Sequence, residues 1–403
     1  MGHVPVYIYY DASQDISWNY YVSGGSATIG DDTDNYGAAT TLGADLSGAI
    51  TIPSTIPYGD GDASYNVTGI GQYAFYGCTS LTSIDLSGTQ VTTIDIFAFY
   101  YCTSLTSITI PDSVTTIDTN AFRKCTSLTS IDLSGTQLTT IGLRAFYQCT
   151  SLTSIDLFGT QVETIGDYAF NECTSLTSID LSGTQVTIIG QFAFYQCSSL
   201  TSIHFPNSLT TIGASTFTQC SSLNSIDLSG TQVETIGYAA FGWCSSLTSI
   251  DLGNSVETID RLGFYSCYKL TSITIPDSVT TIDQSAFNGC SSLTSVTLPT
   301  NSLFTTIGSN AFQYCSKITS LTIPDSVTTI GSNAFQYCTS LTSITIPDSV
   351  TTIGLDAFYT IGSSPIVYVK DVDPNDAYTK TTLENTMSGK ISSGNGAVIY
   401  TQW

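Results

Sequence analysis

Apolar and polar positions recur along most of this chain with a period of 23 to 25 residues. The unit that starts at Cys173 reads CTSLTSIDLSGTQVTIIGQFAFYQ, and the same order of residue types begins again at Cys197. A fixed period of this length marks a solenoid, in which each copy buries its apolar side against its neighbours. Within a unit, Leu81, Ile84 and Leu86 have the spacing of a short strand with one face inward, the first Leu turning the corner into it. A second extended piece follows, as in Val91 to Ile94. Next comes a position held by Gly or Asp (Asp95, Asp118, Gly142, Gly166), which predicts a positive φ or a tight turn. Small-then-Phe pairs such as Ala74 with Phe75 close the unit. Thirteen of the eighteen Phe fall in this one column, so stacking predicts a continuous aromatic spine beside a column of mostly Ala.

Two variants of the unit alternate, one with SGTQV after the strand and a shorter one with PDSV or a relative, as at Pro111 and Pro324. Proline cannot donate to a strand ladder, so it marks the strand's end. The repeat occupies residues 48–360, about thirteen units, and the ends lie outside it. An open solenoid end exposes apolar faces and strand edges, so residues 1–47 are expected to form an N-terminal β cap and residues 361–403 a C-terminal cap. Strands are predicted at Val6 to Tyr10, Trp18 to Val22, Ser26 to Ile29, Ile366 to Val369 and Ala397 to Trp403, and a short helix at Asp376 to Met387. The loop with Asp31, Asp32, Asp34 and Asn35 has Gly43 where a calcium loop counted from Asp32 needs Glu, so it is expected to be a solvated acidic turn.

The string LxxIxLPxSVxxIGxxAFxxC, with Leu and Ile interchangeable, runs from Leu105 to Cys125 and again from Ile318 to Cys338. It resembles the BspA-like leucine-rich repeat family over about residues 48–360, and its AF and C signatures are specific to that branch. The resemblance implies a curved right-handed leucine-rich repeat solenoid, β-rich, with a parallel sheet on the concave face and few helices. It also implies surface or secreted proteins of bacteria and protozoa at mucosal surfaces that adhere to host matrix proteins or other cells. No shared catalytic residues come with it.

Charge narrows the partners. The net charge is -23, and no Lys or Arg precedes Arg123 while twelve Asp lie in the same span. Such a field repels nucleic acid and anionic membranes and favours cations or basic partners. No apolar run is long enough for membrane insertion, and MGHVPVYIYY has no charged region followed by an apolar core, so no signal peptide is visible. All twelve Cys open a unit, a regularity that predicts a ladder of buried free thiols rather than a disulfide framework. With two His and no CxxC pair, zinc is not expected.

Three outward columns remain for function. Seven residues after each Cys, the chain places Asp85, Thr109, Asp132, Asp156, Asp180, His204, Asp227 and Asp251, then Thr274, Thr297, Thr322 and Thr345. Carboxylates on neighbouring strands about 4.8 Å apart repel one another. The row is expected to be offset by water and the flanking Ser column, by calcium, or by Lys and Arg of a partner. A general acid and base pair would need a pocket that tunes two carboxylates apart, which a repeated row on an open face lacks. In the last four copies Ser and Thr alternate outward (Ser272 with Thr274 through Ser343 with Thr345), the array on which an ice-binding solenoid remains an alternative. The third column precedes each Cys and varies most, with Tyr76, Tyr100, Tyr147, Tyr195, Trp243, Tyr265, Tyr314 and Tyr337 expected along one exposed rim. No P-loop, nucleophile elbow, HExxH or dinucleotide fingerprint is present, so no enzyme, metal centre or cofactor is expected. The expected function is that of a non-enzymatic adhesin, extracellular or at the cell surface, recognising a protein or glycan ligand through the acidic face and aromatic rim. A cytoplasmic interaction scaffold is the alternative.

Overall fold

The computed structural model describes residues 6–30, 46–58 and 63–362, and the backbone of the strands Ile366–Lys370 and Val398–Gln402. The acidic loop at 31–35 and the segment from Asp376 to Met387 lie outside the described residues. The chain divides into two compact units, residues 1–209 and 210–403. Each is a stack of parallel β coils, and there is no helix among the described residues.

The first unit begins with an antiparallel meander of Val6–Asp11, Ile16–Ser23 and Ser26–Ile29. Its third strand pairs in parallel with Ser64–Ile70 of the first coil, whose other strand, Ser47–Thr51, pairs in parallel with Ser80–Asp85. The Gln14 side chain imitates a strand partner: its Nε2 donates to the Thr51 carbonyl at 2.8 Å and its Oε1 accepts the Thr51 N–H at 2.8 Å.

Each coil then lays down two short strands. On one wall Ser80–Asp85 pairs with Ser107–Thr109, Ser130–Asp132 with Ser154–Asp156, and Ser178–Asp180 with Ser202–His204. The central Ile of each strand is buried and the flanking side chains point outward, the alternation that a period-two strand imposes. On a second wall Thr93–Ile94, Thr116–Ile117, Thr140–Ile141, Thr164–Ile165 and Ile188–Ile189 stack in register.

The third wall is made of turns. In the first coil Tyr73, Phe75 and Gly77 donate their N–H groups to the next coil, at Ile96, Ala98 and Tyr100. The alternate N–H groups, of Ala74, Tyr76 and Cys78, close turns onto Gly71, Tyr73 and Phe75. This alternation requires left-handed residues at two places per coil, the position before Ala-Phe and the one before Cys. Tyr73, Phe97, Asn120, Arg144, Tyr101, Lys124 and Gln148 all hold φ between 53° and 63°. Such a φ costs an L-residue roughly 1–2 kcal/mol, offset here by a fully bonded backbone. The Gly/Asp column behaves differently from the expectation of positive φ. Gly142 does not have positive φ. It passes so close to the coil before it that an added Cβ would stand 2.6 Å from the Asp118 carbonyl carbon. Where Asp95 replaces it, the carboxylate accepts the Ile96 N–H at 2.6 Å.

Two ladders fill the core. Phe75, Phe99, Phe122, Phe146, Phe170 and Phe194 stack with centroids 5.0–5.3 Å apart and planes within 8° of parallel. Trp18, fully buried, closes the start of this stack edge-on against Phe75 at 6.4 Å and 70°. Beside it runs a ladder of free thiols that do more than fill space. Cys102, Cys125, Cys149, Cys173 and Cys197 each donate to the Phe carbonyl of the coil before, at 3.0–3.1 Å.

The second unit repeats the scheme. Its Phe stack runs from Phe217 to Phe358 at 5.2–5.6 Å. Its thiols from Cys244 to Cys338 donate in the same way at 3.2–3.3 Å. The strand Ser343–Ile346 continues in parallel into Ile366–Lys370, and that strand into Val398–Gln402.

Two outcomes follow from these ladders. Phe146→Ala should destabilise the chain by about 3–5 kcal/mol in chemical denaturation, the range for a buried Phe whose site cannot collapse. Burial pushes the Cys244 and Cys338 thiols up to about 12. An unfolded thiol ionises near pH 8.5, so the unfolded state releases these protons first. The contribution is therefore complete below about pH 8.5 and falls by about 1.4 kcal/mol per pH unit per thiol as pH rises toward the folded value. Denaturation between neutral and alkaline pH should show this slope, shallower in a C244A/C338A variant.

Candidate functional site

The outward wall of Ser–Ile–Asp strands carries the acidic column. Asp132, Asp156, Asp180, Asp227 and Asp251 are exposed and Asp85 is half-buried. Their register is direct: Asp132 lies opposite Asp156, Asp180 opposite His204, and Asp227 opposite Asp251.

Each of these carboxylates has a structural task. Oδ1 of Asp85, Asp132, Asp156, Asp180, Asp227 and Asp251 accepts the N–H two residues on, from Ser87, Ser134, Phe158, Ser182, Ser229 and Gly253, in every case at 2.9 Å. This is an Asx turn, which ends the strand and starts the bend. The buried Thr of the same SGTQ turn donates back to the Leu carbonyl, as Thr136 does to Leu133 at 2.7 Å. The sequence carries the matching signal. Thr51, Thr109, His204, Thr274, Thr297, Thr322 and Thr345 occupy the column in the remaining copies, and two residues after each stands a proline, from Pro53 to Pro347. Proline offers no N–H, so no acceptor is needed and the carboxylate is replaced. Electrostatics agree with the bonds. The Ser182 hydroxyl and N–H, with a smaller pull from His204, hold the Asp180 carboxyl below its ordinary range, and Ser229 does the same for Asp227.

The aromatic rim is half-buried more than exposed, because its rings zip onto one another. Tyr76 stacks on Tyr100 at 5.0 Å, Tyr314 on Tyr337 at 4.8 Å, and Trp243 tilts against Tyr265 at 4.8 Å. Tyr195 meets Phe192 edge-on at 5.7 Å. Tyr147 donates its hydroxyl to Glu172 at 3.3 Å and lies under the Arg123 guanidinium at 4.9 Å, and Tyr100 flanks the same guanidinium at 5.5 Å. Lys124 stands over Tyr101 and Arg144 over Tyr168. Of the aromatics before each Cys, Tyr314 and Tyr101 present the most surface, at 48% and 45% exposure, followed by Tyr76 and Trp243 at 37% each.

One residue on this wall departs from its column. Phe158 is 76% exposed and stands on the acidic wall where the equivalent strings carry Ser. It borders an open groove of about 590 Å³ over three coils, lined by Ser130, Asp132, Ser154, Asp156, Ser178 and Asp180. The signal was a single letter, DLFGTQ among copies that read DLSGTQ. Among the described residues no three His, Cys, Asp or Glu side chains converge to hold a metal ion, and no helix is long and apolar enough to cross a membrane.

The turn role of the column is testable by denaturation. Asp132→Ala should lower stability by about 1 kcal/mol, the net worth of one hydrogen bond. Asp132→Asn keeps an Oδ1 acceptor and should be close to neutral. Thr297→Ala, ahead of Pro299, has no turn bond to lose and should cost less than Asp132→Ala.

Known proteins resemble the chain in sequence pattern and in fold. The model of the BspA type leucine rich repeat region matches residues 62–161, 139–268 and 257–379. No curated protein matches the chain. Among solved structures, a leucine-rich repeat protein from Bacteroides ovatus is 25% identical with a TM-score of 0.63, covering 100% of this chain and 99% of that one. A leucine rich cell surface protein from Faecalibacterium prausnitzii is 23% identical (TM-score 0.43, covering 96% and 98%), and the pneumococcal vaccine antigen PcpA is 18% identical (TM-score 0.49, covering 98% of each). With its coils, its AF and Cys ladders and a family match over most of its length, the chain belongs to the BspA-type leucine-rich repeat family.

Proposed function

We propose that this protein is a non-enzymatic adhesin, secreted or held at a cell surface, that recognises a protein or glycan through its Ser–Ile–Asp wall and the exposed members of its aromatic rim. The observation that supports this best is the division of labour along each coil. Ile, Leu, Phe and Cys are sealed inside, while the strand residues on either side of the Ile face outward over successive coils. Extended outward arrays of this kind are what repeat proteins use for binding. Carboxylates held by turn N–H groups are poor candidates for general acid and base work, since none is set apart from the others in a closed pocket. A role in the cytoplasm would use the same wall, and the twelve unpaired thiols are the feature that favours a reducing compartment.

The test uses the purified full chain in a solid-phase assay against extracellular matrix proteins and intact epithelial cells. Saturable binding is expected, weakened at least tenfold when Asp132, Asp156 and Asp180 become Asn and Tyr314 and Trp243 become Ser. Equal binding by the variant, or none by the parent chain, would sink the adhesin reading. Labelling of intact source cells with antibody separates surface from cytoplasmic location.

A further inference from the structure

The groove beside Phe158 has an imbalance that the fold itself does not remedy. The equivalent position is Ser in four other copies, Ser87, Ser134, Ser182 and Ser229, so the coil does not require an aromatic there. The Phe158 N–H still makes the turn bond to Asp156 at 2.9 Å. Its ring extends toward the next coil, with Cδ2 3.5 Å from where a Cβ on Gly183 would stand, and leaves most of its surface to solvent. The ring gives the groove an apolar face that the Ser of the other copies does not.

Charge says what would cover it. Asp132, Asp156 and Asp180 line the same groove, and each commits only Oδ1 to its main-chain turn bond. Ionised carboxylates accept and cannot donate. Residues 1–209 contain three Lys and Arg in all, Arg123, Lys124 and Arg144. All three lie against tyrosine rings on the turn wall, 4.9–5.8 Å from the ring centres. None of the three lines the groove, and the one basic side chain in register with it is His204, opposite Asp180, so Asp132 and Asp156 are left to a partner's cation. An aromatic face next to acceptor-only carboxylates matches an arginine, whose planar guanidinium stacks on a ring while its five donors reach oxygens.

We propose that the Phe158 groove docks an arginine-bearing segment of a partner protein, its side-chain stem and guanidinium plane on the ring and its donors on Asp132, Asp156 and Asp180. This rests on the adhesin's wall being a protein-binding surface and narrows the partner to one with an exposed basic segment.

The test titrates the full chain with a fluorescent Arg-Gly-Arg-Gly-Arg peptide, and with its Gln-Gly-Gln-Gly-Gln counterpart, at low and high salt. The arginine peptide should bind and the glutamine peptide should not. F158S, which restores the residue of the other copies, should weaken binding about tenfold with the fold intact. D132N/D156N/D180N keeps the turn acceptors and should weaken it further and flatten the salt dependence. D227N/D251N removes two carboxylates on a wall with Ser229 and Gly253 in place of the aromatic, and should change affinity by less than about twofold. No binding by the parent chain, an unaltered affinity in F158S, or an equal loss in D227N/D251N overturns the proposal. Peptide binding that follows this pattern in a chain that fails to bind matrix or cells would leave the groove standing and remove the adhesin reading. Matrix binding untouched by F158S would do the reverse.

Discussion

Everything in this protein depends on the need of each coil to hand its backbone bonds to the next at a spacing of about 4.8 Å. Three walls meet that need by different means. Two use short strands in register, and the third uses turns whose N–H groups point alternately to the next coil and back into their own. Once the spacing is set, identical side chains are forced to stack on their own copies. A Phe then has to pack on a Phe and a Cys has to lie beside a Cys, so the core is a set of columns rather than a jigsaw of unlike pieces. A change in one copy is therefore felt in both neighbours, and nowhere in the sequence is a Phe of this column replaced by anything else.

The same geometry explains what was legible in the sequence. Columns with a fixed chemistry, such as the Leu, Ile, Phe and Cys columns, could be assigned as core, and they are buried apart from half-buried members such as Ile110 and Ile250. The left-handed positions were hidden because the residues there share no chemistry: Tyr101, Lys124, Gln148 and Glu172 adopt one conformation for the sake of the backbone alone. Of the two readings of the glycine column, the tight turn holds, with the Gly142 carbonyl accepting the Ala145 N–H, while the demand for Gly itself comes from the nearness of the previous coil and not from the sign of φ. Contacts between long side chains were also beyond reach, because a rim of tyrosines looks identical in sequence whether its rings splay or stack. Tyr100 shows which: it has Tyr76 on one side and Arg123 on the other.

For the candidate site, the column of carboxylates was visible and its reason was not. Charge alone made the row costly and left its offset open between water with the flanking Ser, calcium, and the cations of a partner. Noticing which copies carry proline two residues later shows that the row is first a turn device, with Oδ1 of each Asp spoken for. Function has to be built on what is left over, which is the second oxygen, the flanking Ser, and the single aromatic at Phe158.

The exchange of Asp for proline has a further consequence for how such a surface changes over generations. A unit with the DLSG turn puts its carboxylate at the last outward position of the strand, and a unit reading Thr-x-Pro-Asp puts it three residues further on, at Asp112, Asp277, Asp325 or Asp348; either closes the same coil over the same core. Copying, losing or swapping whole units therefore moves carboxylates between the strand wall and the bend beside it without any compensating change inside. The run from Asp132 to Asp180 and the run from Thr274 to Thr345 are two settings of that dial within one chain.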